Sequence, residues 1–198
     1  MPICTCRPKG RDRRALLAAF GGVAGLLLLS TLYLAWLGPA PHGSAAVGGA
    51  FRLAATQGGA VDERSFPGRY RLVYFGYTHC PDVCPTTLAT LAEALRRLGP
   101  LAARVQPLFI TLDPARDSLA VLRAYLAGFS PRLIGLTGTA AELAAVERAF
   151  RVTSVAHPDG PDHSSVLYLM APDGRFVAPV AADASAAGMA RAISAGMM

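Results

Sequence analysis

The chain has 198 residues, of which 53% are hydrophobic and 16% charged, with a net charge of +6 and four cysteines. That length allows one ordinary domain plus an anchor. Arg7, Lys9, Arg11, Arg13 and Arg14 against Asp12 put +4 of the charge into the first fourteen residues, so the basic balance belongs to a tail and argues against a nucleic-acid partner.

Residues 1–14 read as a basic cytoplasmic tail. Next comes Ala15 to Leu37, twenty-three residues with no charge and no proline. As a helix it spans roughly 34 Å, enough for a hydrocarbon core of about 30 Å. Tyr33 and Trp36 lie near its far end, where amphipathic rings favour the interface, and the preceding positive charge predicts export of the C-terminal part. A cleaved signal peptide is the competing reading, but its apolar region is normally about 7 to 15 residues. Residues 38–50, with Pro39, Pro41, Gly43, Gly48 and Gly49, read as a linker, and residues 51–198 as the exported domain.

Phe51 to Thr56 predicts a strand, Gly58-Gly59 a turn, and Val61 onward its partner. Arg71 to Gly76 is a central apolar strand. Thr86 to Leu98 carries Leu88, Leu91, Leu95 and Leu98 at helical spacing, ended by Gly99-Pro100. Val105 to Leu112 is a second apolar strand, and Ser118 to Phe129 a helix capped by Ser118. Leu133 to Leu136 is a short strand. Thr139 and Glu142 form a capping box for a helix to about Phe150. Val152 to Ala156 and Val166 to Met170 are strands, and Phe176 to Val180 pairs back across Pro172-Asp173-Gly174. The last helix, about Ser185 to Ala195, is rich in alanine, which predicts weak docking. Strands alternating with helices, then a hairpin and a helix, describe a small α/β sandwich of the thioredoxin-like order.

Cys80 and Cys84 sit at the first long strand-to-helix junction. Four apart on a helical first turn, two sulfurs share a face and can reach one atom. The helix N-terminus is expected to lower thiol pKa and favour thiolate, the form that binds soft metals and attacks disulfides. A structural disulfide or inert core thiols is the bland alternative, disfavoured by the flanking prolines and Gly76. An exported domain of this size needs no disulfide staple, so the pair asks for a chemical reason. Cys4 and Cys6, in the tail, are read as incidental. Of the histidines, His42 is a linker residue, and His79 adjoins Cys80 and is expected to turn away from the pair. His157 lies in a loop with no ligand role assigned. His163 immediately precedes the strand from Val166, and in thioredoxin-like folds that entry loop faces the dithiol. An imidazole there completes a Cys2His set, and soft thiolates select Cu(I) while imidazole suits either oxidation state.

Three segments, Tyr74 to Pro85, Phe109 to Asp117 and Asp162 to Met170, with Pro131 to Gly138 as a fourth, resemble the Sco/SenC family of membrane-anchored copper-binding proteins. The resemblance implies a thioredoxin-like domain tethered outside the membrane by a single N-terminal transmembrane helix. In a bacterium this is the inner membrane, with the domain in the periplasm. It further implies one bound copper held by Cys80, Cys84 and His163, a Cys80–Cys84 pair able to form a disulfide, and a role in assembling the CuA centre of cytochrome c oxidase. The implied partners are the copper-bearing oxidase subunit, a copper donor and a thiol reductant. Asp113 and Asp117 match family acids near the site and receive no ligand role. The resemblance implies a metallochaperone, with no catalytic residue assigned.

Rival readings remain open. A thiol–disulfide oxidoreductase acting on an exported or oxidase-subunit substrate would use the same pair, although its usual motif has two intervening residues and would leave His163 idle. A peroxiredoxin would want threonine three residues before its reactive cysteine, where Tyr77 stands. A structural zinc site would want a fourth ligand.

Overall fold

The computed structural model describes residues 47–155, 162–163 and 166–198. The expected tail, the span 15–37, linker residues 38–46, Cys4, Cys6, His42 and His157 lie outside the described residues. Among the described residues no helix is long and apolar enough to cross a membrane.

In chain order the elements are β1 (Arg52–Ala55), β2 (Ala60–Asp62), β3 (Tyr70–Gly76), α1 (Val83–Arg97), a 3-10 turn (Gly99–Arg104), β4 (Val105–Thr111), α2 (Leu119–Ala127), β5 (Ile134–Thr137), α3 (Ala140–Phe150), β6 (Ser154–Val155), β7 (Asp162–His163), β8 (Val166–Met170), β9 (Phe176–Ala181) and α4 (Ala186–Gly196). A seven-stranded sheet has the order β2-β1-β5-β4-β3-β8-β9. The β3–β4 and β4–β5 pairs are parallel, while β1–β5, β3–β8 and β8–β9 are antiparallel.

β4 is buried along its whole length and β3 from Arg71 onward, as central strands covered on both faces should be. The two-residue period of β3 divides the core. Leu72 and Tyr74 face a cluster with Leu88 and Leu91 of α1, Leu122 and Leu126 of α2, and Met189 and Ile193 of α4. Val73 and Phe75 face the other side, against Leu143, Val146 and Phe150 of α3. The Thr139 capping box forms as expected, with Thr139 Oγ1 accepting from the Glu142 amide at 3.2 Å.

Three elements differ from the sequence reading. α1 begins at Val83, not Thr86, because Pro85 falls in the first turn, where a missing N–H costs nothing. Among the described residues of the expected 152–156 strand, only Ser154 and Val155 pair, and they do so with β7 in a separate ribbon. Arg151 closes α3 in the left-handed region at φ 56°, and the Val152 amide is spent on Glu147 O at 2.9 Å rather than on a ladder. The C-terminal helix docks firmly. Met189 and Ile193 are fully buried, and a Cβ at Gly196 would lie 2.5 Å from Leu169 Cδ2. The small residues that promised weak anchoring are what let the helix approach the sheet.

Candidate metal centre

β3 ends at Gly76, and the chain makes one turn, with the Cys80 amide donating to Tyr77 O at 3.3 Å, before α1 starts. Asp82 occupies the N-cap position but makes no side-chain cap hydrogen bond. The Cys84 amide donates instead to Cys80 Sγ at 3.4 Å. The first cysteine sulfur thus stands where a cap oxygen would, at the positive end of the helix and accepting from a first-turn N–H. No disulfide joins Cys80 and Cys84; Cys80 is half-buried and Cys84 fully buried.

The floor under Cys84 is set by β3 and β4. Tyr74, on the α1 side of the pleat, donates its hydroxyl to Cys84 Sγ at 3.6 Å. The Tyr74 and Phe109 rings meet edge-on at 6.0 Å, and Phe109 leads on to Tyr125 at 6.2 Å. Gly76 permits this closeness: a Cβ there would lie 2.8 Å from Cys84 Sγ and 2.9 Å from Phe109 Cε2. The Tyr125 hydroxyl is buried with no hydrogen-bond partner among the described residues. Burial, then the nearby Cys84 and Cys80, push its pKa up, so it remains a neutral donor beside the sulfurs.

Electrostatics correct one expectation. The Cys84 thiol is not lowered by its place in the first helical turn but pushed up to about 12, because burial of the sulfur outweighs the hydrogen bonds from the Tyr77 backbone and the Tyr74 hydroxyl. Helix position was visible in the sequence; depth was not.

A carboxylate absent from the expected ligand set organises the turn. Asp117 is fully buried and accepts from the Thr78 amide at 3.0 Å, Thr78 Oγ1 at 2.6 Å and Thr111 Oγ1 at 2.6 Å. His79 is turned toward this group, with Nδ1 3.1 Å from Thr78 Oγ1 and 3.8 Å from Asp117 Oδ1. Asp113 is engaged by the Arg116 side chain and backbone.

His163 lies on β7 with its Cα opposite Ser154. β8 runs antiparallel to β3 with Leu167 opposite Tyr74, so the chain enters β8 beside the end of β3 from which the cysteine turn departs. Two residues separate His163 from Val166, and the three Cα–Cα steps reach at most about 11 Å. The backbone therefore brings His163 to the same end of the sheet as the two cysteines.

Fold and site together define a thioredoxin-like protein with a pair of cysteines at its first long strand-to-helix junction. A family model described as SCO1/SenC matches residues 39–197. The chain belongs to the SCO1/SenC family. It is 45% identical over 141 residues to the mitochondrial SCO2 homolog of Bos taurus, covering 67% of this chain and 53% of that protein. The copper-bound structure of Bradyrhizobium japonicum ScoI superposes with a TM-score of 0.68 at 41% identity, covering 76% of this chain and 99% of that one. Arabidopsis thaliana ScoI with copper bound gives 0.73 at 36%, covering 77% and 98%. The chain spans about half the length of the curated relatives it matches.

Proposed function

We propose that this protein is a membrane-anchored copper chaperone: it takes up one copper ion through Cys80, Cys84 and His163 and passes it on during assembly of the CuA centre of cytochrome c oxidase. The observation that carries the reading is the placement of the pair, with a half-buried Cys80 Sγ accepting from the Cys84 amide at 3.4 Å beside a buried Cys84. Two soft sulfurs and one imidazole suit copper, which is the ion held in the Bradyrhizobium and Arabidopsis structures. Copper is cargo, and the half-buried Cys80 leaves it open to an incoming acceptor thiolate while Cys84 and the floor hold it from below. An anchor over residues 15–37 would keep the domain on the exported face of a bacterial inner membrane, within reach of the copper-bearing oxidase subunit. A donor protein supplies the metal, and a thiol reductant keeps Cys80 and Cys84 from pairing.

The test is copper stoichiometry on the reduced protein. Wild type should take up one equivalent, Cys80→Ala or Cys84→Ala none, and His163→Ala should bind more weakly, most clearly for Cu(II). A His163→Ala protein with wild-type affinity and spectra in both oxidation states refutes the ligand set.

A thiol–disulfide oxidoreductase is the second reading, favoured by an accessible Cys80 above a buried Cys84. Cys80 thiolate would attack a substrate disulfide and release one substrate thiol. Cys84 would then displace the mixed disulfide, leaving Cys80–Cys84 oxidised and the substrate reduced. With Cys84 pushed up to about 12, the resolving thiolate is scarce at neutral pH, which disfavours rapid turnover. Reduced protein that takes up no copper but turns over a disulfide substrate rapidly would decide for it.

A further inference from the structure

The copper reading uses Cys80, Cys84 and His163 and leaves the buried carboxylate of Asp117 without a part. Burying a carboxylate is costly unless hydrogen bonds replace its water. Three neutral donors reach it, Thr78 N–H, Thr78 Oγ1 and Thr111 Oγ1, and His79 Nδ1 stands 3.8 Å from its Oδ1. Arg116, one residue away, is directed to Asp113. Nor is Asp117 needed to cap the following helix, since Ser118 Oγ accepts from the Val121 amide at 3.3 Å.

Two of the three bonds converge on Thr78, inside the turn that ends at Cys80. The third fastens the carboxylate to Thr111, the last residue of β4. A backbone bond from Leu112 N–H to Gly76 O at 2.8 Å ties the same two segments. Because Thr78 Oγ1 spends its hydrogen on Asp117, its 3.1 Å contact with His79 Nδ1 must be the imidazole N–H donating inward. That hydrogen bond holds the His79 ring on the Thr78 side of the turn. The turn is thus fixed to the sheet through one carboxylate.

From this geometry we propose that Asp117 is a positioning residue for Cys80. It acts through Thr78 to hold the 77–80 turn so that Cys80 Sγ meets the Cys84 amide and, with Cys84, presents a ready two-sulfur site. The inference rests on the copper reading for its purpose but not for its test. Pre-organising ligands through a buried hydrogen-bonded support is how outer groups tune a metal site.

The experiment uses the full chain with Thr78→Val, Asp117→Asn and, as a control, Thr139→Ala, which removes the distant capping box. The first readout needs no metal: the dithiol–disulfide equilibrium of Cys80 and Cys84 in glutathione buffers. There two thiols give up two electrons and two protons, one Sγ–Sγ bond forms, and oxidised glutathione becomes two thiols. The second is the Cu(II)–thiolate absorption and EPR spectrum. Thr78→Val and Asp117→Asn should each move the equilibrium constant by roughly tenfold, the scale of one hydrogen bond to a charged group, and should alter the Cu(II) spectrum. Thr139→Ala should lower the melting temperature and move neither. Should Asp117→Asn fail to fold, Thr78→Val, which leaves the carboxylate and its Thr111 bond in place, carries the test alone. Wild-type values in the variants that fold, or equal shifts in the Thr139→Ala control, overturn the proposal. A wild type that binds no copper would refute the copper reading, while the glutathione equilibrium still judges Asp117.

Discussion

Gly76→Ala probes the packing under the dithiol. Gly76 is not among the residues with positive φ, so alanine carries no backbone penalty there, and any cost comes from contact. The added methyl would sit 2.8 Å from Cys84 Sγ and 2.9 Å from Phe109 Cε2, each about 1 Å inside ordinary van der Waals separation. Neither neighbour has room to retreat, since Cys84 and Phe109 are both fully buried and Phe109 is braced by Tyr74 and Tyr125. Overpacking of this kind costs about 1–3 kcal/mol. For a domain of this size that is a fall in Tm of roughly 3–10 °C. Urea denaturation with copper titration of the same samples measures both consequences, the stability loss and a weakened copper complex as Cys84 Sγ is displaced. A Gly76→Ala protein within about 0.5 kcal/mol of wild type, with unchanged copper affinity, would show that the floor yields freely and would refute the reasoning.

Tyr74→Phe removes the hydroxyl that donates to Cys84 Sγ at 3.6 Å while keeping the ring. Because a hydrogen bond to a charged sulfur is worth about 1.4 kcal/mol more than one to a neutral thiol, copper affinity should fall about tenfold in a Cu(I) competition titration. Ile193→Ala tests the docking of α4: a fully buried side chain against the Leu169 face should cost about 2–5 kcal/mol in chemical denaturation. A loss under about 1 kcal/mol would restore the weakly docked helix that its alanine content suggested.

The parts of the fold set by local pattern were legible. The central apolar strand from Arg71 to Gly76, the leucine spacing of α1 and the Thr139–Glu142 box all appear where the sequence put them. Contacts made across the chain were not. Asp117, which the family resemblance put near the site without a role, reaches Thr78 over 39 residues. A signal existed all the same. β3 and β4 are parallel neighbours in register from Tyr70–Val105 to Gly76–Thr111, so the turns beyond them must meet. Thr78 lies two residues beyond one strand and Asp117 six beyond the other. Burial likewise escapes a linear reading, which is why the first-turn position of Cys84 promised a lowered thiol and the folded domain delivers a raised one.

That raised thiol divides the work between the two cysteines. In the metal-free reduced protein Cys84 keeps its proton at neutral pH, under the Tyr74 hydroxyl and out of contact with water, while Cys80 is reachable. Iodoacetamide at pH 8 should therefore label Cys80 and leave Cys84 largely intact, as peptide mass analysis would show. The sign of the pH dependence comes from thiolate being the reactive form. Below a thiol pKa of about 12 each unit of pH raises the thiolate fraction tenfold, so labelling of Cys84 should climb steadily between pH 8 and 10 without reaching a plateau. Equal labelling of both cysteines at pH 8, or a Cys84 profile that levels off near neutrality, would mean that the helix end outweighs burial after all. An ion that binds both sulfurs has to displace that proton, so soft metal capture and proton release are one event at this site.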